Sequence, residues 1–288
     1  MAHAHADVVG LSIAAGNVGL EHTVRNALKL VEVIGANTPV FAGCPAPLVL
    51  PAADAAFVHG QDGFGDTGYV PAAATAAAEH AALAILRLSH EHAGRLVLVA
   101  LAPLTNLALA LKLDPTLPQR VARLVIMGGA VTGRGNTHLV PAEFNIGFDP
   151  EAAHVVFSTW PHFTLVDWES TVRHGIEFAA IEGWLSAGTT SCGFFDSISR
   201  KTRAWTRERG RPQLLVADAL AMAVALEPGI VARAEVRHVA IELAGTHTRG
   251  ATLVDWDQRL GHAPNAHIVM GVDHERFEAL VASSFGAG

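Results

Sequence analysis

The chain has 288 residues, half of them hydrophobic and 16% charged, with a net charge of −7, so it can bury a large core near the upper size of one domain. It lacks the Lys/Arg run or basic face that a reader of nucleic-acid backbone needs, and no stretch of about 20 apolar residues runs free of charge or proline. Cys44 and Cys192 are too few for a disulfide framework and MAHAHADVVG is no secretory signal, so the expectation is a cytoplasmic protein with a small-molecule partner, neither nucleic acid nor membrane.

Short β-branched runs alternate with Ala/Leu-rich stretches of helical period, the pattern of an α/β fold with a mostly parallel central sheet and helices on both faces. In chain order, Val8–Ala14 predicts a strand, Val18–Gly35 a helix and Pro39–Gly43 a short strand. A Gly-rich loop, HGQDGFGDTG, leads to a long helix over Ala72–His92, then the apolar strand Leu96–Leu101 and a helix over Leu104–Leu113. Leu124–Met127 is a strand, Gly128–Ala142 a polar loop, and Asp149–Phe157 a helix with Pro150 in its first turn. Phe163–Val166 is a strand, and about 172–208 a helical cap region with Arg, Trp and Ser. Leu214–Leu226 predicts a buried helix, Val236–Leu243 and Ala251–Trp256 a hairpin, and His267–Val272 a last strand before a terminal helix. No repeat or linker divides residues 1–288, and Met1–Asp7 are room only for the last turn of a helix, as though a first βα unit were missing.

The densest polar signal is GNTHLVPAEFNIGFDPEAAH, Gly135–His154. Its Asn136, Glu143 and Asn145 suit a polyol, because a carboxylate accepts hydroxyl protons while an amide both donates and accepts. On composition alone a solvated loop followed by an N-cap at Asp149 is the stronger reading, because polar loop residues are usually just loop residues.

Whole strings reverse that balance. AAGNVGLEHTVRNAL, HGQDGFGD, LAPLTNLALAL, VIMGGA, GNTHLVPAEFNIGFDPEAAHVVF, ADALAMAVALEP and ELAGTHTRGATLVDW occur in that order between about residues 7 and 283. With AEFNI followed by DPEAAH as the most specific block, the chain resembles the inosine-uridine-preferring nucleoside hydrolases. The resemblance implies a Rossmann-like nucleoside hydrolase fold, a homo-dimer or homo-tetramer, and hydrolysis of ribonucleosides to base and ribose by a calcium-activated water. Carried over position by position, it implies Asp218 and the Leu101 carbonyl as calcium ligands, with Asp218 and Asn136 catalytic. It also implies Asn136, Glu143 and Asn145 on the ribose, Asn17 at the neighbouring strand end, Met127 and Phe144 against the sugar, and His59 bordering the base. His59 reads equally well as a loop histidine satisfied by backbone.

Two departures accompany the resemblance. The family opens with an Asp-rich turn of DxDPGxDDA type, whose aspartates bind calcium and deprotonate the water, and nothing before Val8 supplies it. Asp218 and one carbonyl are too few for Ca²⁺, which takes about 6 to 8 oxygens. A misplaced start and a truncated homologue that binds ribosides without cleaving them are the two explanations. Ala217 also stands where some members place the histidine that protonates the leaving base. His174, Trp205 and Arg203 are replacements weighed against purely structural roles, and Asp167 and Glu169 in VDWES receive no role.

GFGDTG, Gly63–Gly68, fits the dinucleotide fingerprint but neither follows a strand directly nor opens a helix, since Tyr69-Val70-Pro71 intervenes. His3 and His5 form an HxH pair with no strand before it, so a frayed end outweighs a zinc site.

Overall fold

The structure, a computed structural model, describes residues 6–51 and 53–285. His3, His5 and the start of the proposed helical turn at Met1 lie outside them. The elements in order are β1 (Leu11–Ile13), α1 (Leu20–Val33), β2 (Val40–Ala42), α2 (Ala56–His59), α3 (Ala81–Glu91), β3 (Leu96–Ala100), α4 (Thr105–Leu113) and β4 (Val121–Met127). Then follow α5 (Phe144–Phe148), α6 (Pro150–Thr159), β5 (Phe163–Val166), α7 (Trp168–Arg173), β6 (Ile176–Glu177), α8 (Phe178–Leu185), α9 (Thr190–Glu208) and β7 (Gln213–Leu214). The chain continues through α10 (Ala217–Leu226), β8 (Val231–Arg237), β9 (Val239–Ile241), β10 (Thr252–Val254), β11 (Ala266–Val272) and α11 (His274–Ser284).

The main sheet has strand order β3-β4-β5-β11-β8, parallel except where β8 runs antiparallel to β11. Successive side chains of a strand point to opposite faces, so one apolar run feeds two cores. Leu124 and Ile126 of β4 join Leu165, Ile268 and the α4 and α6 side chains Leu111, Val156 and Phe157 on one face. Val125 and Met127 join Val166, Val269, Leu220 of α10 and Phe277 of α11 on the other. The α/β expectation with helices on both faces therefore holds.

The sheet is not continuous. β1 and β2 pair in parallel as a separate two-stranded unit, hydrogen-bonded to neither β3 nor its neighbours among the described residues. β3 accordingly keeps an unpaired edge, with Val97–Ala100 only half-buried, while Leu124–Met127 of β4 are buried throughout.

The long helix expected over Ala72–His92 shortens to Ala81–Glu91. Alanine content favours a helix there, but the Ala77 amide donates to the Val40 carbonyl at 2.8 Å, bridging the edge of β2, and His80 caps the helix by accepting from the Ala82 amide. The run Val236–Leu243 divides between two sheets, β8 pairing with β11 and β9 with β10 as the expected hairpin. No helix among the described residues is long and apolar enough to cross a membrane.

Candidate active site

Side chains from four segments gather where β3 and β4 end. Glu143 is the N-cap of α5 and is buried. Its Oε1 accepts from the Asn145 amide at 2.9 Å, and its Oε2 from the Gly129 and Ile146 amides at 3.0 and 3.1 Å. Burial pushes the Glu143 carboxyl up to about 7, against those three bonds, and the nearby Asp218 charge adds to the rise. A carboxylate has about four acceptor sites, so one remains.

Asn145, one residue into α5, ties the strand ends together. Its Nδ2 lies 3.3 Å from the Leu101 carbonyl, 3.2 Å from that of Met127 and 3.3 Å from the Met127 Sδ. Phe144 is half-buried, its ring 5.9 Å from that of Phe148. Asp218 stands in the first turn of α10, where its negative charge complements the helix N-terminus. Crowding by surrounding protein pushes its carboxyl up to about 6, while its exposure to solvent works against that rise.

Asn17 and Asn136 are exposed; the Asn17 carbonyl accepts from Ala55, and the Asn136 amide donates to Ala142 at 3.2 Å. His59 ends α2, and burial lowers its pKa, favouring the neutral ring. The Gly-rich loop beside it is an Asp-centred turn: the Asp62 carboxylate accepts from the amides of Phe64, Asp66 and Gly68. That turn explains the glycines without a dinucleotide.

The three residues weighed in place of a histidine at Ala217 are engaged elsewhere. His174 accepts from the Val272 amide at 3.1 Å, Arg203 is buried and bonded to Asp196 and Ser199, and Trp205 carries the Arg209 guanidinium 3.8 Å over its ring. Sequence reasoning missed the role of Asp167 and Glu169. Asp167 caps α7 by accepting from Ser170 and also binds the Val131 amide, while Glu169 binds Thr132 and Arg134. The D-x-x-S spacing after a strand was a legible capping signal; the partners across the loop were not.

Oxygen donors suit calcium, but the set here is short of it. No group of three or more His, Cys, Asp or Glu side chains that could hold a metal occurs among the described residues, and the Leu101 carbonyl faces the Asn145 amide. The residues present do not by themselves fit that ion.

Known proteins match this arrangement along nearly the whole chain. A non-specific ribonucleoside hydrolase (RihC) of Salmonella schwarzengrund strain CVM19633 is 34% identical over 282 residues, covering 97% of this chain and 89% of its own length. The solved structure of an inosine-guanosine nucleoside hydrolase superposes with a TM-score of 0.92 at 32% identity, covering 99% of this chain and 92% of that one. A purine-preferring ribonucleoside hydrolase from Gardnerella vaginalis superposes with a TM-score of 0.89 at 26% identity, covering 98% and 91%. The family model for inosine-uridine preferring nucleoside hydrolases matches residues 1–279, and the chain belongs to that nucleoside hydrolase family.

Proposed function

We propose that the chain hydrolyses the N-glycosidic bond of ribonucleosides: a water oxygen bonds to C1′, the C1′–N bond breaks toward the base, and base and ribose separate. The observation that carries this reading is the pairing of two unlike acids at the strand ends, Glu143 holding three backbone amides with one acceptor site left and Asp218 open to solvent beside it. Asn17, Asn136, Asn145 and the remaining acceptor site of Glu143 hold the ribose hydroxyls. Met127 and Phe144 lie against the sugar, and His59 borders the base. Asp218 takes the proton of the attacking water. Both carboxylates favour the positive charge that develops at C1′ in an oxocarbenium-like transition state. The leaving base carries off the electrons of the broken bond and is protonated from solvent. The segment α8–α9 serves as a cap, supported by the Thr202 hydroxyl donating to the Val58 carbonyl of α2.

Calcium would orient the diol and lower the pKa of the water, with Asp218 and the Leu101 carbonyl among its ligands. The thin donor set gives that ion no route here, so no step above depends on it, and the same observation favours a second reading, riboside binding without cleavage. Assembly as a dimer or tetramer belongs to the reading and is checked by sedimentation.

The test is release of base from inosine, uridine and p-nitrophenyl riboside, with Ca²⁺ and with a chelator, beside D-ribose binding followed by NMR. Turnover abolished in Asp218→Asn supports hydrolysis. Binding with no turnover in either medium selects the second reading, and neither binding nor turnover overturns both.

A further inference from the structure

VDWES begins at Val166, the last residue of β5, and its two acids take no part in the chemistry above, yet both are buried. Apart from the Asp167 Oδ1, which caps α7 at the Ser170 amide, their oxygens are turned onto one stretch of chain. The Asp167 Oδ2 accepts from the Val131 amide at 3.1 Å. The Glu169 Oε1 accepts from the Thr132 and Arg134 amides at 2.8 and 3.2 Å, and its Oε2 from the Thr132 hydroxyl at 2.7 Å. Trp168 completes the set by donating its amide to the Gly129 carbonyl at 2.9 Å.

Thr132 and Arg134 are exposed residues, yet a buried carboxylate holds the amides of both. A buried carboxylate spent on them contributes order more than satisfaction. The order reaches the site through one residue: Gly129 gives its carbonyl to α7 and its amide to the Glu143 Oε2. It is also pinned from the other side, since a Cβ there would lie 2.5 Å from the Thr252 Oγ1. Two residues beyond Arg134 the chain presents Asn136 to solvent.

We propose that Glu169, with Asp167 beside it, is a positioning residue: it clamps the 129–134 turn onto α7 and thereby sets where Asn136 and Glu143 meet the sugar. The inference rests on the riboside reading and adds to it a residue that touches no substrate. A displacement of about 1 Å at such contacts costs up to about 100-fold.

The experiment compares wild type, Glu169→Ala, Glu169→Gln and Thr132→Ala in three readouts: KM and kcat for inosine and p-nitrophenyl riboside, D-ribose binding by NMR, and exchange of the 131–134 amides. Glu169→Ala is expected to speed exchange of the Thr132 and Arg134 amides and raise KM and the ribose dissociation constant about tenfold, with kcat changed less. Glu169→Gln keeps an acceptor for both amides and is expected to restore the wild-type values, since geometry and not charge is the cause. Thr132→Ala removes one bond at an exposed residue and is expected to raise KM by a few-fold, which keeps the test alive if Glu169→Ala does not fold. A role confined to stabilising α7 would lower the melting temperature of Glu169→Ala and leave KM and ribose affinity of the folded protein unchanged; that result overturns the proposal. A wild type that neither binds nor cleaves overturns the riboside reading itself, whereas a wild type that acts while both alanine variants keep its KM overturns only the role of Glu169.

Discussion

The turn-and-helix region around Glu143, Asp167 and Glu169 and the proposed sugar rim of Asn17, Asn136 and Asp218 treat polar side chains in opposite ways. In the first, buried carboxylates accept from the backbone amides of Gly129, Val131, Thr132, Arg134, Asn145 and Ile146. In the second, the side chains are exposed. An acid whose oxygens are filled by amides holds backbone in place, while one left open to solvent is free to meet a ligand. Under the proposed function the amide-bonded acids hold the scaffold and the exposed side chains meet the ligand, with Glu143 doing both through its one open site.

The comparison breaks first at Asp218. Asp218→Asn should lower turnover by about 100- to 10,000-fold, the range for a lost general base, without lowering the melting temperature. Steady-state kinetics beside a thermal melt check this, and an active variant would return Asp218 to the scaffold class. Glu143→Ala should lower stability as well as ribose affinity. It leaves three buried amides without an acceptor, each worth about 1 to 3 kcal/mol, so urea unfolding should show a loss of about 3 kcal/mol or more.

The acidity of Glu143 sharpens the contrast. Burial raises its carboxyl from 4.5 to about 7, so between those values the folded protein binds a proton that the unfolded chain does not. The stability this contributes is fully present below about pH 4.5 and is lost as pH rises through about 7. Melting temperatures of wild type and Glu143→Gln should therefore move in favour of the glutamine variant from pH 5 to pH 8. A difference that stays constant would show that Glu143 titrates as an ordinary glutamate.

Smaller effects follow. Gly129→Ala places a Cβ at φ +79° and 2.5 Å from the Thr252 Oγ1, which should cost about 1 to 3 kcal/mol in denaturant unfolding. Asn17→Ala, at an exposed position, should leave stability within about 0.5 kcal/mol while weakening D-ribose binding in an NMR titration. Unchanged affinity would remove Asn17 from the rim.

Much of the fold was legible because strand and helix carry different periods. Leu96–Leu101 and Phe163–Val166 were readable as strands, though the first is half-buried rather than buried, and the helix after the first was readable by its Ala/Leu pattern. Ala72–Glu79 were misread as helix because alanine propensity is a weak local preference, and one amide bonded to β2 outweighs it. The short helix α5 was missed because its start is set by the Glu143 side chain turning back onto the Asn145 and Ile146 amides, a cap that falls inside a stretch dominated by loop residues. The site was legible as a set of residue types in AEFNI and ADALAM. Which acid is held by amides and which is open was not, since that depends on how Gly129 and Asp218 approach Glu143 in the fold.

What the sequence by itself determined is the α/β class, the order of most elements and the family, because apolar period and local motifs are written in consecutive residues. Only the tertiary structure decided that the β1–β2 pair stands apart from the sheet that β3 edges, that VDWES clamps the turn at residues 129–134, and that Asn145 joins the ends of β3 and β4. Those features are hydrogen bonds, made or absent, between residues well separated along the chain. Such pairing leaves no local period, and only packing brings the partners within about 3 Å.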